Sequence, residues 1–397
     1  MQCTRCHADI PEAAHYCQQC GLDARAGDGA RRSSFAAKPN ESVVSLKLVS
    51  TIMPRGAAVR PMTYQFALGL ALLATVIVGA TGALPIAVLI AAFAMPIVYI
   101  VYLYDVNMWE DEPLLVTGLA FVLTAVLGGG WTWLWTSWRG STSAGSSFDA
   151  TATLPTVSGF LIAAVLAPVI GEAIRQVGPV LLASRPEFDD LMDGLTFGVI
   201  SGVAFATGDT LVKHWPLITG GYAGAADAPT WISLLVLEGF VKPLVMGTAT
   251  GIACAEFSGL GEGHDGFTPR YFRGVAEAVA ANVLYAGGTY LLTFLGNQVL
   301  ALVLSVLWGL AILAVLIIRI RTALHRGLME AALESTARAR GVGPGLEFCP
   351  SCEMPLLPAA EFCSNCGVSV RATLKVHPPS KDAAASAGGT PREGAQA

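Results

Sequence analysis

Residues 167–209 read APVIGEAIRQVGPVLLASRPEFDDLMDGLTFGVISGVAFATGD, two long apolar runs joined by a polar link, SRPEFDD. A helical crossing of a bilayer core needs about 20 apolar residues, and the runs on either side of this link, 157–183 and 190–209, reach that length. In lipid the chain must satisfy its own backbone hydrogen bonds, which a helix does within one segment. The stretch therefore reads as two successive membrane helices. Six more runs of the same kind flank it, at about 62–80, 84–104, 114–137, 230–254, 272–295 and 298–318. The last two meet at LGNQ, residues 295–298, which reads as a tight turn or as the bend of a single helix. The expected fold class is an all-α polytopic membrane protein of about eight transmembrane helices. A chain that is 53% hydrophobic and 13% charged, with mean hydropathy +0.57, lies outside the range of an ordinary soluble domain.

An even number of spans puts both termini on one side, and basic residues choose the side. Arg31, Arg32, Lys38, Lys47, Arg55 and Arg60 precede the first run; Arg185, Arg270 and Arg273 fall in connections on the same face; Arg319, Arg321 and Arg326 follow the last. The opposite connections hold only Arg139 and Lys213, so both termini are expected in the cytoplasm of a multi-pass protein of the cell membrane. The link at 104–113 carries acids without bases, which weigh little in this rule. GGGWTWLWTSWRG, residues 128–140, places Trp131, Trp133, Trp135 and Trp138 where the third run leaves the bilayer, as an aromatic belt does. A net charge of −5 with no basic block gives no reason to expect nucleic acid as a partner. The first twenty residues are polar and cysteine-rich and do not read as a cleavable secretion signal.

Eight of the nine cysteines form two groups: Cys3, Cys6, Cys17, Cys20, and Cys349, Cys352, Cys363, Cys366. Both follow C-x2-C-x10-C-x2-C, in which each close pair can offer two sulfurs to one tetrahedral metal. EAAHYCQQCG (12–21) also aligns with PAAEFCSNCG (358–367), so the units are copies of one design. They resemble the bacterial zinc-ribbon family, which implies two structural Zn2+ sites that fold their domains and serve docking, with disulfides as the other reading. Cys254 lies alone in an apolar run and reads as a buried thiol. The expected organisation is a ribbon at 1–22, a linker at 23–60, a membrane domain at 61–320, a cytoplasmic helix at 321–346, a second ribbon at 347–370 and a disordered tail at 371–397.

Ionisable side chains inside spans are costly and mark functional candidates. They are Glu172 and Arg175, Asp193 and Asp209, Glu238 and Lys242, and Glu277. Glu238 and Lys242, at i and i+4 with the acid first, suit an intrahelical ion pair, and Glu172 and Arg175 at i and i+3 suit another. Glu172 stands out because it lies midway along its run, just after Pro168 and Gly171. A carboxylate there, given water, can ligate a metal or act as a general base.

Residues 167–209 resemble the core of the PrsW family of intramembrane proteases, relatives of the CAAX-protease superfamily. The family has a Glu-Glu-x-x-Lys helix, then a small-residue helix with Asp-Gly near its start and Phe-x-x-x-Glu near its end, then a histidine-bearing helix. YDVNMWEDEP, residues 104–113, resembles its acidic leading segment, and the resemblance covers about 84–290. Carried over position by position, the first Glu is Gly171, the second is Glu172, the Lys is Arg175, and Phe-x-x-x-Glu is Phe205 to Asp209. EGFVKPLVMGTATGIACA (238–255) has no histidine, and Asn282 stands where an imidazole is expected. At 1.5 Å per residue, Glu172 lies about 22 Å from the outer end of its run and Asp209 near the outer end of the next, so the two meet only if helices tilt strongly. The departures from the family's pattern imply a degenerate relative, a pseudoenzyme that binds a single-span membrane protein, with the ribbons either pairing with each other or holding a cytoplasmic protein. One alternative is an active endopeptidase in which Glu172 and Asp209 hold a catalytic divalent metal, with Arg175 orienting Glu172. A transporter or channel is another.

Overall fold

In the computed structural model, residues 2–11, 14–24, 63–81, 83–105, 114–139, 157–185, 188, 191–219, 231–261, 264–339 and 347–370 are described. Residues 25–60 of the linker expected at 23–60, residues 106–113 of the acidic segment and the tail expected at 371–397 lie outside them. The described chain forms helices and no strands; its terminal segments carry only isolated β-bridges. Residues 33–330 form one compact unit, and the two terminal segments together form a second.

The helices are α1 (Thr63–Thr81), α2 (Leu84–Asp105), α3 (Leu114–Arg139), α4 (Val157–Ala183), α5 (Leu191–Lys213), α6 (Ser233–Ser258), α7 (Pro269–Leu292) and α8 (Gln298–Ala339). Each apolar run of the sequence is helical over its described residues, except that the helix of the run 272–295 ends at Leu292. Six of these helices, α3 to α8, are long and apolar enough to cross a membrane. The expected count of eight is not reached on that criterion, because α1 and α2 contribute only the shorter apolar stretches Phe66–Thr75 and Pro85–Val101. Residues 295–298 do separate two helices, as the turn reading has it. The last apolar run and the helix expected at 321–346 are continuous over the described residues: α8 runs for 42 residues. TALHRGLMEAALESTARA is rich in strong helix formers, and its single Gly327 costs too little to stop a helix.

α5 and α6 form the centre. Their apolar windows are 78% and 72% buried, against 17% for α4 and 22% for α3, whose outer faces expose Leu161, Val177 and Leu181, or Leu119, Val122 and Val126. Small residues let the two central backbones approach. A Cβ placed on Gly202 would lie 2.5 Å from the Gly247 Cα, and one on Gly208 would lie 1.9 Å from the Ala125 carbonyl oxygen of α3. The repeat Gly194, Gly198, Gly202 against Gly247, Gly251 marks the α5–α6 seam.

Two helices contain a wider turn. Leu161–Leu166 in α4 and Ser233–Val241 in α6 are π-helical, with N–H to carbonyl bonds reaching five residues back, from Ala167 to Ile162 and from Lys242 to Leu237. Each segment ends just before a proline, Pro168 or Pro243. Proline has no N–H for the carbonyl four residues earlier and crowds it with its ring, and a widened turn relieves both. Pro168 thus sits just ahead of Glu172 and Arg175, whereas Pro243 directly follows Lys242.

Candidate functional site

Among the described residues, Glu172 and Asp209 belong to two separate buried polar clusters. The first is built around Glu172 of α4, which is 0% exposed, and Arg175, which is 1% exposed. Arg175 donates to Glu172 Oε2 from Nη2 at 2.6 Å and from Nε at 3.2 Å. Gln176 Nε2 donates to Oε1 at 2.6 Å. Two other helices add donors to Oε2: Thr250 Oγ1 of α6 at 3.2 Å and Asn282 Nδ2 of α7 at 3.1 Å. Around them, Arg175 Nε also donates to Thr250 Oγ1 at 3.1 Å, and the Arg175 carbonyl accepts from Ser201 Oγ of α5 at 2.7 Å. The guanidinium lies 4.9 Å from the ring centroid of Phe205, a cation–π distance. Gln176 Oε1 accepts from Cys254 Sγ at 3.2 Å.

This arrangement follows from local sequence. Spacings of three and four residues put Glu172, Arg175 and Gln176 on one face of α4, and the missing side chain at Gly171 leaves room beside them. A Cβ there would meet Arg175 Nη1 at 3.3 Å and the Phe205 ring at 3.4 Å. Position 171 therefore faces Phe205, and the guanidinium and the ring border the space beside it.

The second cluster holds Asp209. Its carboxylate pairs with Lys242 of α6 and accepts from Thr132 Oγ1 of α3. Lys242 also pairs with Glu238, as the i, i+4 spacing predicts. Lys213 Nζ binds the other Glu238 oxygen at 2.6 Å, Thr210 Oγ1 lies 3.4 Å from Glu238, and His214 Nε2 is 3.9 Å from it. Two carboxylates thus face two ammonium groups, which suits ions taken out of water.

Glu172 and Arg175 are brought together; Asp209 does not join them. On α6, Lys242 marks the Asp209 cluster and Thr250 the Glu172 cluster, eight positions apart or about 12 Å along the helix. Asn282, the position where an imidazole was expected, does reach Glu172. His214 sits beside Glu238, and His264 stacks on Phe257 with centroids 5.4 Å apart. Glu277 lies at the opposite end of the helices, where Arg319 of α8 binds it at 2.8 Å and Glu256 at 2.7 Å. Gln176, Ser201 and Thr250 escaped sequence reading, because uncharged polar residues in an apolar helix raise no signal until the packing is known.

A hydrolytic metal needs about three protein ligands, commonly with imidazole among them. Around Glu172 the other groups are a guanidinium, two amides and a hydroxyl, and the Asp209 cluster is filled by ammonium groups. Neither donor set fits such a metal. Among the described residues, the groups of three or more His, Cys, Asp or Glu within ligand reach are the two cysteine sets.

Those sets fit a metal well. Sulfur–sulfur separations are 3.6 Å for Cys3 and Cys20, 3.5 Å for Cys6 and Cys17, 3.7 Å for Cys349 and Cys366, and 3.6 Å for Cys352 and Cys363. Four sulfurs at about 2.3 Å from one zinc lie about 3.8 Å apart, whereas a disulfide needs about 2.05 Å. Each close pair forms a knuckle closed by backbone bonds: Gly21 N–H to the Cys17 carbonyl at 2.9 Å in one set, and Gly367 N–H to the Cys363 carbonyl at 3.0 Å in the other. Among these coupled thiols the N–H groups of Cys6 and Arg5 lower Cys3, while Cys6 and Cys20 beside it are raised.

Comparison with known proteins agrees for the membrane unit: residues 112–235 match the family described as PrsW family intramembrane metalloprotease. This segment spans α3, α4, α5 and the start of α6, and so includes Glu172, Arg175 and Asp209. No curated protein matches the chain. No solved structure matches it either.

Proposed function

We propose that this PrsW-type membrane domain has exchanged catalysis for binding. It holds a single-span membrane segment without cutting it, while the terminal ribbons, each loaded with zinc, engage a cytoplasmic protein. The observation that carries the reading is the occupation of the Glu172 carboxylate. Oε2 accepts from Arg175, Thr250 and Asn282, and Oε1 accepts from Gln176. A general base must reach a water or a substrate proton, and here its oxygens are engaged by fixed neighbours in a buried position. An endopeptidase running on Glu172 and Asp209 would need both carboxylates at one reacting centre, and they belong to different clusters. The charge-balanced partners of Asp209 likewise give little support to a transport path.

Zinc is the metal that four thiolates at these separations favour. Cytoplasmic termini are supported by the grouping of Arg273 and Arg319 around Glu277 and Glu256, where α6 ends and α7 begins. These are the basic residues that the positive-inside rule assigns to that face.

A photo-cross-linking amino acid placed at Val177, on the outward face of α4 and 50% exposed, tests the binding reading. The expected product is an adduct with a membrane protein of full length, equally abundant in the protein with Glu172 and in Glu172→Gln. A shortened partner with Glu172, and a full-length adduct only in Glu172→Gln, would show that the site cuts.

A further inference from the structure

We propose that the two terminal ribbons form one composite zinc module, in which each ribbon is the other's binding partner and neither holds its zinc tightly alone. The contacts between them come in matched pairs. His15 and Tyr16 both donate their N–H to the Ser364 carbonyl, at 2.8 and 2.9 Å, and Glu361 and Phe362 both donate theirs to the Gln18 carbonyl, at 2.9 and 3.0 Å. The same offset of 346 residues separates His15 from Glu361, Tyr16 from Phe362 and Gln18 from Ser364. The four bonds therefore obey a local two-fold symmetry, although the partners lie at opposite ends of one chain.

The aromatic contacts obey it too. The Phe362 ring lies against Gly21 and the Tyr16 ring against Gly367, so close that a Cβ on either glycine would fall 2.8 Å from the facing ring. Both glycines have positive φ, 67° and 73°, which glycine adopts freely. The spacing shared by the two units thus supplies a ring before the third cysteine and a bare backbone after the fourth, each matched to the other ribbon.

The pairing edge is part of each metal site. Gln18 lies inside the Cys17 to Cys20 knuckle and Ser364 inside the Cys363 to Cys366 knuckle, so the accepting carbonyls are held in place by the chain that the sulfurs pin. Gln18 is 6% exposed and Ser364 1% exposed, so these carbonyls sit in a sealed edge that water does not compensate. Each ribbon is also small. Domains below about 40 residues need a metal or association to fold, and these ribbons have both available. Zinc binding is then folding, and folding one ribbon presents the edge on which the other folds.

The experiment uses the full-length protein in detergent, with zinc retention followed against rising concentrations of a chromophoric chelator. In Cys349→Ser/Cys352→Ser, the zinc remaining at the N-terminal cysteines is expected to leave at about tenfold lower chelator than in the unaltered protein, the equivalent of one or two backbone hydrogen bonds. An unchanged N-terminal affinity overturns the proposal. Phe362→Ala keeps all eight ligands and tests the interface itself: both zincs are expected to weaken together, and weakening of the C-terminal one alone overturns it. Retention is expected to be independent of protein concentration. Retention that rises with concentration would place the partner ribbon on a second copy and overturn the pairing within one chain.

Discussion

At the residue scale, Arg175 holds the account together. It neutralises Glu172, shares Thr250 with it and faces Phe205. Removing one member of a buried ion pair leaves an uncompensated charge and costs about 3–5 kcal/mol, whereas replacing both members is far milder. Arg175→Ala is therefore expected to lower the thermal stability of the detergent-solubilised protein strongly, and Glu172→Gln/Arg175→Gln to recover most of the loss. Equal losses in the single and double variants would count against a structural lock. The Glu172–Arg175 pair was legible from its spacing alone, as was Glu238 with Lys242. That Asp209 joins Lys242 rather than Glu172 was only partly legible: helix rise placed Asp209 too far out, but its partners Thr132 and Lys242 come from helices distant in sequence.

At the element scale, glycine positions decide which helices are central. Overpacking a tight contact costs typically about 1–3 kcal/mol, so Gly202→Ala should destabilise the protein by that order, since its Cβ meets backbone atoms of Gly247. Gly69→Ala, with nothing within 4 Å, should have little effect, and comparing the two by thermal unfolding checks the α5–α6 seam. The helices themselves were legible from apolar run length. The π turns were not, because a proline in an apolar run shows only that something must give. That α8 is one helix was not legible, because Arg319 and Arg321 mark the end of a membrane crossing without saying whether the helix ends there.

At the scale of the whole molecule, the chain joins a membrane unit to a compact unit made from its two ends. The ribbons were legible from cysteine spacing, which fixes ligand geometry locally. Their mutual pairing was not, because it depends on backbone carbonyls that no residue identity announces. Epitopes added at either terminus should be reached by protease only after vesicles are opened; digestion in sealed right-side-out vesicles would contradict cytoplasmic termini. The central claim is that metal serves the ribbons and that Glu172 holds none. Zinc content of the purified full-length protein tests this most directly: the account predicts two zincs per chain, one for each cysteine set, and the same number in Glu172→Gln. A third zinc that disappears in Glu172→Gln would contradict it.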